Sequence, residues 1–212
     1  MSAVPQPRVV VFDLGKVLVD FDYARCARRL AARASCSINE VQHVIDHSAL
    51  LFQYETGRIK KDRFYEEICR LTGYTATLSE FEPAFADIFS PIEPMIEAHR
   101  ELRARRVPTY ILSNTNDIAV AHIRRTFPFF SNFDGYLFSF EQGVMKPDEQ
   151  IYAIAEKVIA RPAYDILYID DRAENIEPAR RRGWNVIHHV SPEQSIEVLK
   201  RFGLLGGPSA AG

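Results

Sequence analysis

The sequence predicts an α/β protein built on a parallel sheet. Strand-like apolar runs recur at residues 8–13, 109–112, 136–138, 166–169 and 184–188, and segments with helical periodicity separate the later runs. An uninterrupted apolar run indicates a strand that is buried on both faces, which is typical of parallel sheets. Strands that alternate with helices favour the same architecture.

The first strand leads directly into a carboxylate, Asp13, and a second apolar run leads to Asp20 and Asp22. Ligands of parallel α/β sheets bind outside the carboxyl ends of the strands. A carboxylate is costly to bury without a partner, so we expect Asp13 to face a site. Taken alone, such a residue is more often the cap of a turn, but later strands end in the same way.

The pattern between about residue 22 and residue 89 is helical. Two sets of apolar residues each define one helix face: Ile38, Val41, Val44 and Ile45, and then Phe64, Ile68 and Leu71. Gly73 is a plausible end of the second helix, and residues 53–58 read as a loop between the two. We therefore predict an all-helical insert after the first strand.

Composition narrows the class of protein. The chain has 212 residues, 47% of them hydrophobic, and a net charge of -2. Such a charge indicates no general affinity for nucleic acid or for anionic membranes. No apolar run approaches the ~20 residues of a membrane span, and no signal peptide is evident. Three cysteines without a metal or redox motif favour a reducing compartment, so we expect a cytoplasmic protein.

Polar residues that follow the strands define a candidate site. Asp13, Ser113 and the pair Asp170-Asp171 stand at strand ends, and Lys146 stands where a loop opens a helix. Carboxylates that lie close together repel one another unless a cation neutralises them, and oxygen ligands with few protein donors suit Mg²⁺. A lysine and a hydroxyl beside such a metal form a receptor for a phosphate dianion.

Each of these features alone has a structural explanation. Lys146 could be a surface lysine, Ser113 a helix cap, and the pair Asp170-Asp171 a solvated turn. Their joint occurrence, in this order and at strand ends, favours the functional interpretation.

The four motifs resemble those of the haloacid dehalogenase superfamily of phosphohydrolases, over nearly the whole chain. In order they are the Asp13 segment, Ser113-Asn114, Lys146-Pro147, and Asp170-Asp171 with Asn175. The sequences Asp-Leu-Gly and Ser-Asn-Thr-Asn are similar to those of bacterial α-D-glucose-1-phosphate phosphatases. The resemblance implies a three-layer Rossmann-like core with five parallel strands, formed by residues 8–20 and 90–205. It further implies an α-helical cap at 21–89, and we expect a disordered tail at 206–212.

The resemblance also implies a two-step covalent mechanism for a small phosphorylated metabolite. Asp13 would attack phosphorus, and water would hydrolyse the aspartyl-phosphate. Mg²⁺ would be held by Asp13, the main-chain carbonyl of Gly15 and Asp171. Asp170 would orient a water on the metal from behind the direct ligands.

The remaining motif residues are assigned to the phosphate by the same resemblance. Ser113 and Asn114 would donate hydrogen bonds to phosphoryl oxygens, and Lys146 would offset charge on the phosphate and on Asp13. In the loop at 53–58 and just before it, Phe52, Tyr54 and Glu55 are candidates for substrate selection. For Phe52, packing inside the cap is an equally good interpretation.

Gly15 departs from the family pattern, which usually has a second Asp two residues after the nucleophile as general acid and base. Positioned acid–base catalysis is typically worth roughly 10²–10⁴-fold. A sugar 1-phosphate has a more acidic leaving group and needs less protonation. Alternatively, Asp20, Asp22 or Glu55 could supply the proton, although Asp22 fits better as the N-cap of the first cap helix.

Two other functions remain open from the sequence. Dehalogenases of the superfamily also lack the second Asp, but they commonly have Tyr where Gly15 lies. A catalytically silent member could bind a phosphorylated ligand or a protein. Retention of Asp13, Lys146 and Asp171 argues against a silent site. The sequence indicates no oligomeric state.

Overall fold

The computed structural model describes residues 6–46 and 49–206, apart from the side chain of Asp46. Its strands are β1 (Val9–Phe12), β2 (Val19–Phe21), β3 (Phe89–Pro91), β4 (Thr109–Ser113), β5 (Gly135–Phe138), β6 (Ile166–Asp170) and β7 (Asn185–His188). Five of them form one parallel sheet in the order β5-β4-β1-β6-β7. The predicted five-stranded parallel sheet is thereby confirmed.

Helices connect the strands. They are α1 (Tyr23–Ala31), α2 (Ile38–Asp46), α3 (Ala49–Glu55), α4 (Lys61–Thr72), α5 (Leu78–Ala86), α6 (Glu93–Ala104), α7 (Asp117–Thr126), α8 (Ser139–Gln142), α9 (Glu149–Ile159), α10 (Ala173–Arg181) and α11 (Pro192–Arg201). Short 3₁₀ turns at Pro128–Ser131 and Ala163–Asp165 precede β5 and β6.

Strand β1 lies at the centre of the sheet because both of its faces are apolar. Val10 and Phe12 pack into a hydrophobic cluster with residues of α6, α7 and α11. Val9 and Val11 point to the opposite face, where they meet residues of α9 and α10. Successive side chains of a strand alternate between faces, so this uninterrupted apolar run supports helices on both sides. The result is the predicted three-layer core.

Helices α1 to α5, which we call the cap, pack around a hydrophobic cluster of their own. Asp22 is the N-cap of α1, since its Oδ1 accepts the main-chain N–H of Ala24 at 2.9 Å. Gly73 ends α4 in the left-handed conformation with φ of 67°. Both expectations for these two residues are confirmed. The exact boundaries at 20/21 and 89/90 between the core and the cap stay predictions.

The structure corrects the sequence interpretation of the cap in two places. Residues 53–55 belong to α3 and not to a loop, because Leu50 and Tyr54 form a buried pair four residues apart. Leu71 of α4 is 43% exposed and Ile38 of α2 is 46% exposed, so each of them lies outside the buried face that was predicted for its helix.

A two-stranded antiparallel ribbon joins the cap to the core and was not predicted. β2 enters the cap and β3 leaves it, and Val19 pairs with Pro91 while Phe21 pairs with Phe89. Strands of three residues are too short to show a periodic pattern in the sequence.

No helix in the described part of the chain is long and apolar enough to cross a membrane. Residues 207–212 of the predicted tail lie outside the described residues.

Candidate active site

Lys146 stands at the centre of the candidate site. Its Nζ lies 2.8 Å from Oδ1 of Asp13 and 2.7 Å from Oδ2 of Asp170, and the residue is 3% exposed. Asn114 fixes the backbone there: its Nδ2 donates to the carbonyl of Lys146 at 2.9 Å, and the N–H of Lys146 donates to Asn114 Oδ1 at 2.8 Å. The loop before α9 is thus tied to the end of β4.

Asp170 is fully buried at the end of β6 and is surrounded by donors. Its oxygens accept hydrogen bonds from the main-chain N–H of Arg172 at 2.8 Å, from Asn175 Nδ2 at 3.0 and 3.1 Å, and from the hydroxyl of Tyr168. Burial by itself would raise the pKa of Asp170, but the charge and hydrogen bonds of Lys146 outweigh it and lower that pKa. Asp170 is therefore a charged residue of the folded protein.

Asp13 and Asp171 lack this degree of compensation. Burial raises the pKa of Asp13 to about 7, and the negative charge of Asp170 adds to the effect, against the pull of Lys146. The pKa of Asp171, which is half-buried, is also raised by burial and by Asp170. When Asp13 and Asp171 are ionised, the described residues around them therefore compensate their negative charge only in part.

The donor set fits a hard divalent cation. Asp13, Asp170 and Asp171 each offer a carboxylate oxygen, and these three atoms lie within 4.8 Å of one another. Lys146 supplies a single positive charge to them, so a divalent cation would neutralise the remainder. Oxygen ligands of this kind suit Mg²⁺. Gly15 lines the same cavity, beside Asp13.

A cavity of about 250 Å³ opens over these groups. Asp13, Ser113, Asn114, Lys146 and Asp171 line it from the core. The other side is lined mainly by the cap, the ribbon and α3: Phe21, Tyr23, Leu51, Glu55 and Phe89. The predicted nucleophile, phosphate ligands and metal ligands therefore border one space, with the exception of the fully buried Asp170.

Two of these residues make contacts that the sequence did not predict. The side-chain amide of Asn114 is engaged with the backbone of Lys146, so in this arrangement it positions that lysine. The hydroxyl of Ser113 makes only a long contact, 3.4 Å, with the carbonyl of Asn114. Contact of either residue with phosphate stays a prediction.

The ring of Phe21 fills the space beside Gly15. The backbone of Gly15 is outside the left-handed region, but a Cβ there would lie 2.9 Å from Cε1 of Phe21. Asp20 is exposed and pairs with Lys16, and Asp22 is the cap of α1. Neither of these two carboxylates lines the cavity, whereas Glu55 does.

Glu55 is the last residue of α3, and it forms no ion pair with the described residues. Burial raises the pKa of Glu55 to about 7, and a hydrogen bond from the side chain of Asn116 opposes this only in part. Asn116 Oδ1 accepts the N–H of Ala119 at 2.9 Å as the N-cap of α7. The amide nitrogen of Asn116 is therefore the atom left for Glu55.

The two other candidates for substrate selection do not line this cavity. Tyr54 is 2% exposed, stacks on Phe64 at 4.3 Å and donates a hydrogen bond to Asp117. Phe52 is 44% exposed and lies under the guanidinium of Arg58. Sequence reasoning missed Phe21 and Phe89, since both are on the short ribbon.

Comparison with known families decides the identity. Residues 7–183 match the family model of the haloacid dehalogenase-like hydrolases. The chain belongs to this family. This haloacid dehalogenase-like hydrolase has the predicted core, and Asp13, Ser113 and Asp170 stand at the carboxyl ends of β1, β4 and β6.

Two phosphatases and one solved structure are similar to this chain over most of their length. A sesquiterpene phosphatase of Aspergillus oryzae is 25% identical over 85% of this chain and 89% of its own. A D-ribitol-5-phosphate phosphatase of Bacteroides thetaiotaomicron is 23% identical over 82% of this chain and 88% of its own. The structure of a family enzyme from B. thetaiotaomicron in complex with magnesium and inorganic phosphate has a TM-score of 0.71 and 22% identity. It covers 85% of this chain and 93% of that one.

Proposed function

We propose that this protein is a Mg²⁺-dependent phosphomonoesterase that acts on a small phosphorylated metabolite through an aspartyl-phosphate on Asp13. The observation that carries the proposal is the position of Lys146, whose ammonium lies 2.8 Å from Oδ1 of Asp13 inside the cavity. A cation there stabilises a charged nucleophile and attracts a dianionic phosphate to it. The names of the two relatives described above, both phosphatases, support the same reaction.

Mg²⁺ would be held by Asp13, Asp171 and the carbonyl of Gly15, with Asp170 behind them. When bound, it screens the negative charge of the nucleophile from that of the incoming phosphate. The three clustered carboxylates support this assignment, as does a structural neighbour that was crystallised with magnesium and phosphate. Ser113 and Lys146 would hold the phosphoryl oxygens, and Asn114 would keep Lys146 in place.

We propose the cap at residues 21–89 as the part that selects the substrate, over a core of residues 8–20 and 90–205. The cap side of the cavity is rich in aromatic rings, which suit a ring or chain that is partly apolar. A sugar 1-phosphate is one candidate, as in the α-D-glucose-1-phosphate phosphatases. The names of the two relatives extend the candidates to phosphates of ordinary alcohols.

Release of phosphate from 4-nitrophenyl phosphate, with Mg²⁺ and with EDTA, tests the reaction. We expect turnover with Mg²⁺ and its loss with EDTA, and no halide release from 2-chloropropionate under either condition. Halide release without phosphate release would favour the dehalogenase alternative, and neither release would favour a silent binding protein. A panel of phosphorylated metabolites would then rank the substrates.

A further inference from the structure

The space where the family usually has its acid–base carboxylate is occupied here by a ring. Gly15 has no side chain, and Phe21 Cε1 lies 2.9 Å from the point where a Cβ would stand. Phe21 is itself fixed by edge-on packing against Tyr23 and Phe89, with centroids 5.3 and 6.4 Å apart. A proton for the leaving group must therefore come from another part of the cavity.

We propose that Glu55, on the cap, is the general acid that protonates the leaving-group oxygen and the general base that then accepts a proton from water. This inference rests on the phosphatase reaction proposed above. Three carboxyl groups line the cavity in the described part of the chain: Asp13, Asp171 and Glu55. Asp13 is assigned as nucleophile and Asp171 as metal ligand, so Glu55 is the carboxyl group that has no other task.

The core holds the end of α3 on both sides of Glu55. Immediately before it, the hydroxyl of Tyr54 donates a hydrogen bond to Asp117 at the start of α7. Two residues after it, Gly57 has φ of +68°, and a Cβ there would lie 2.2 Å from the carbonyl oxygen of Phe140. A residue other than glycine does not fit this contact between the cap and α8. Glu55 is thus fixed over the cavity by contacts with two core helices.

The surroundings of Glu55 favour a proton donor. Burial raises its pKa to about 7, which matches the pKa that general acid–base catalysis requires near neutral pH. Asn116, turned by its N-cap bond to Ala119, donates to one oxygen of the carboxyl group. A carboxyl group has two oxygens, so one oxygen of Glu55 remains available to carry the proton.

The two steps balance with Glu55 as the only proton carrier. In the first, an oxygen of Asp13 attacks phosphorus, the bond from phosphorus to the leaving oxygen breaks, and that oxygen takes its electron pair and the Glu55 proton. The alcohol leaves, and Glu55 is a carboxylate. In the second, water attacks phosphorus, its proton passes to Glu55, and the bond to Asp13 breaks. Phosphate departs, and both carboxyl groups return to their starting states.

Leaving-group dependence tests the proposal. Wild type, Glu55→Gln and the control Glu66→Gln, an exposed cap residue paired with Arg63, are assayed with Mg²⁺ on 4-nitrophenyl, phenyl and butyl phosphate. In Glu55→Gln we expect kcat/KM to fall about 10²–10⁴-fold for butyl phosphate and far less for 4-nitrophenyl phosphate. Rapid-quench measurements should show a burst of one 4-nitrophenolate per enzyme, because hydrolysis of the aspartyl-phosphate has lost its base.

Several outcomes would overturn the proposal. One is a Glu55→Gln variant with the same ratio of 4-nitrophenyl to butyl phosphate rates as wild type and no burst. Tyr23 also lines the cavity, so a steep leaving-group dependence that appears in Tyr23→Phe and not in Glu55→Gln is another. A wild-type protein that releases no phosphate from any ester refutes the proposed function itself. If Glu55→Gln does not fold, Glu55→Ala is assayed with formate, which should restore turnover in that variant alone.

Discussion

Two carboxyl groups near the cavity, the fully buried Asp170 of the core and the half-buried Glu55 of the cap, have pKa values that are shifted in opposite directions. Four donors contact Asp170, among them the ammonium of Lys146, and its pKa is lowered. Glu55 has the amide of Asn116 and no ion pair with the described residues, and its pKa is raised to about 7. Burial alone therefore does not set the pKa of a carboxyl group. The ammonium of Lys146 and the hydrogen bonds around Asp170 outweigh its burial, whereas the single amide beside Glu55 does not.

Removal of the nucleophile in the core should lower the activity most. Asp13→Asn retains shape but removes the attacking carboxylate, so turnover should fall at least about 10⁴-fold. Single-turnover phosphate release with Mg²⁺ measures it, and acid quenching of the wild type should trap a labelled aspartyl-phosphate. Hydrolysis by a pure Asp13→Asn preparation at a measurable rate would remove Asp13 from the mechanism.

The metal offers the next largest effect. Asp171→Asn should weaken Mg²⁺ binding and lower kcat by about 10²–10³-fold, because the surplus charge that attracts the ion is reduced. Isothermal calorimetry with Mg²⁺ measures the affinity, with the exposed Asp62→Asn of α4 as control. Unchanged affinity in Asp171→Asn would count against this ligand assignment.

The free energy of unfolding should respond differently to the loss of each of the two carboxyl groups. Asp170→Asn leaves Lys146 buried with only Asp13 opposite it, and should lower the free energy of unfolding by about 3 kcal/mol. Glu55→Gln separates no ion pair and should change it by about 1 kcal/mol or less at pH 6. Urea unfolding followed by circular dichroism gives both values. Equal losses in the two variants would contradict the contrast in charge compensation.

The smallest effect is a dependence on pH. The pKa of Glu55 rises from 4.5 to about 7 on folding, so the unfolded chain binds fewer protons in this window and stability is lost as pH rises through it. Over this range the shift would amount to about 3 kcal/mol in a carboxyl group without solvent contact. Because Glu55 is partly exposed, wild type should lose on the order of 1 kcal/mol relative to Glu55→Gln between pH 4.5 and pH 8. Unfolding of both proteins at a series of pH values cancels the contributions of other groups. A constant difference would mean that Glu55 ionises normally in the folded protein.

Much of the core could be predicted from local sequence. Apolar runs that end in Asp13, Ser113 and Asp170 mark strands and their carboxyl ends together, so the edge of the sheet and its acidic cluster follow from one pattern. The ring of Phe21 over Gly15 could not be predicted, because a three-residue strand has no measurable period.

The environment of Glu55 was equally beyond a local interpretation. Its carboxyl group meets Asn116, which is far away in the sequence, and the local pattern predicts a loop where α3 ends at Glu55. The four donors around Asp170 also come from different elements: Tyr168 from β6, Asn175 from α10, and Lys146 and Arg172 from the loops before α9 and α10. Local pattern identifies which groups reach the cavity, whereas their protonation depends on tertiary contacts.

The ribbon of β2 and β3 has a consequence for how this chain can be rebuilt. Val19 pairs with Pro91 and Phe21 with Phe89, so the chain leaves the core and returns to it on two adjacent, paired strands. The ends to be joined are therefore the same whatever lies between them, and each doubling of the intervening length costs only about 0.6 kcal/mol in closure entropy. A foreign helical segment grafted between Phe21 and Phe89 would leave Asp13, Lys146 and Asp171 in place. The core that carries the reacting groups could in this way be combined with caps of different specificity.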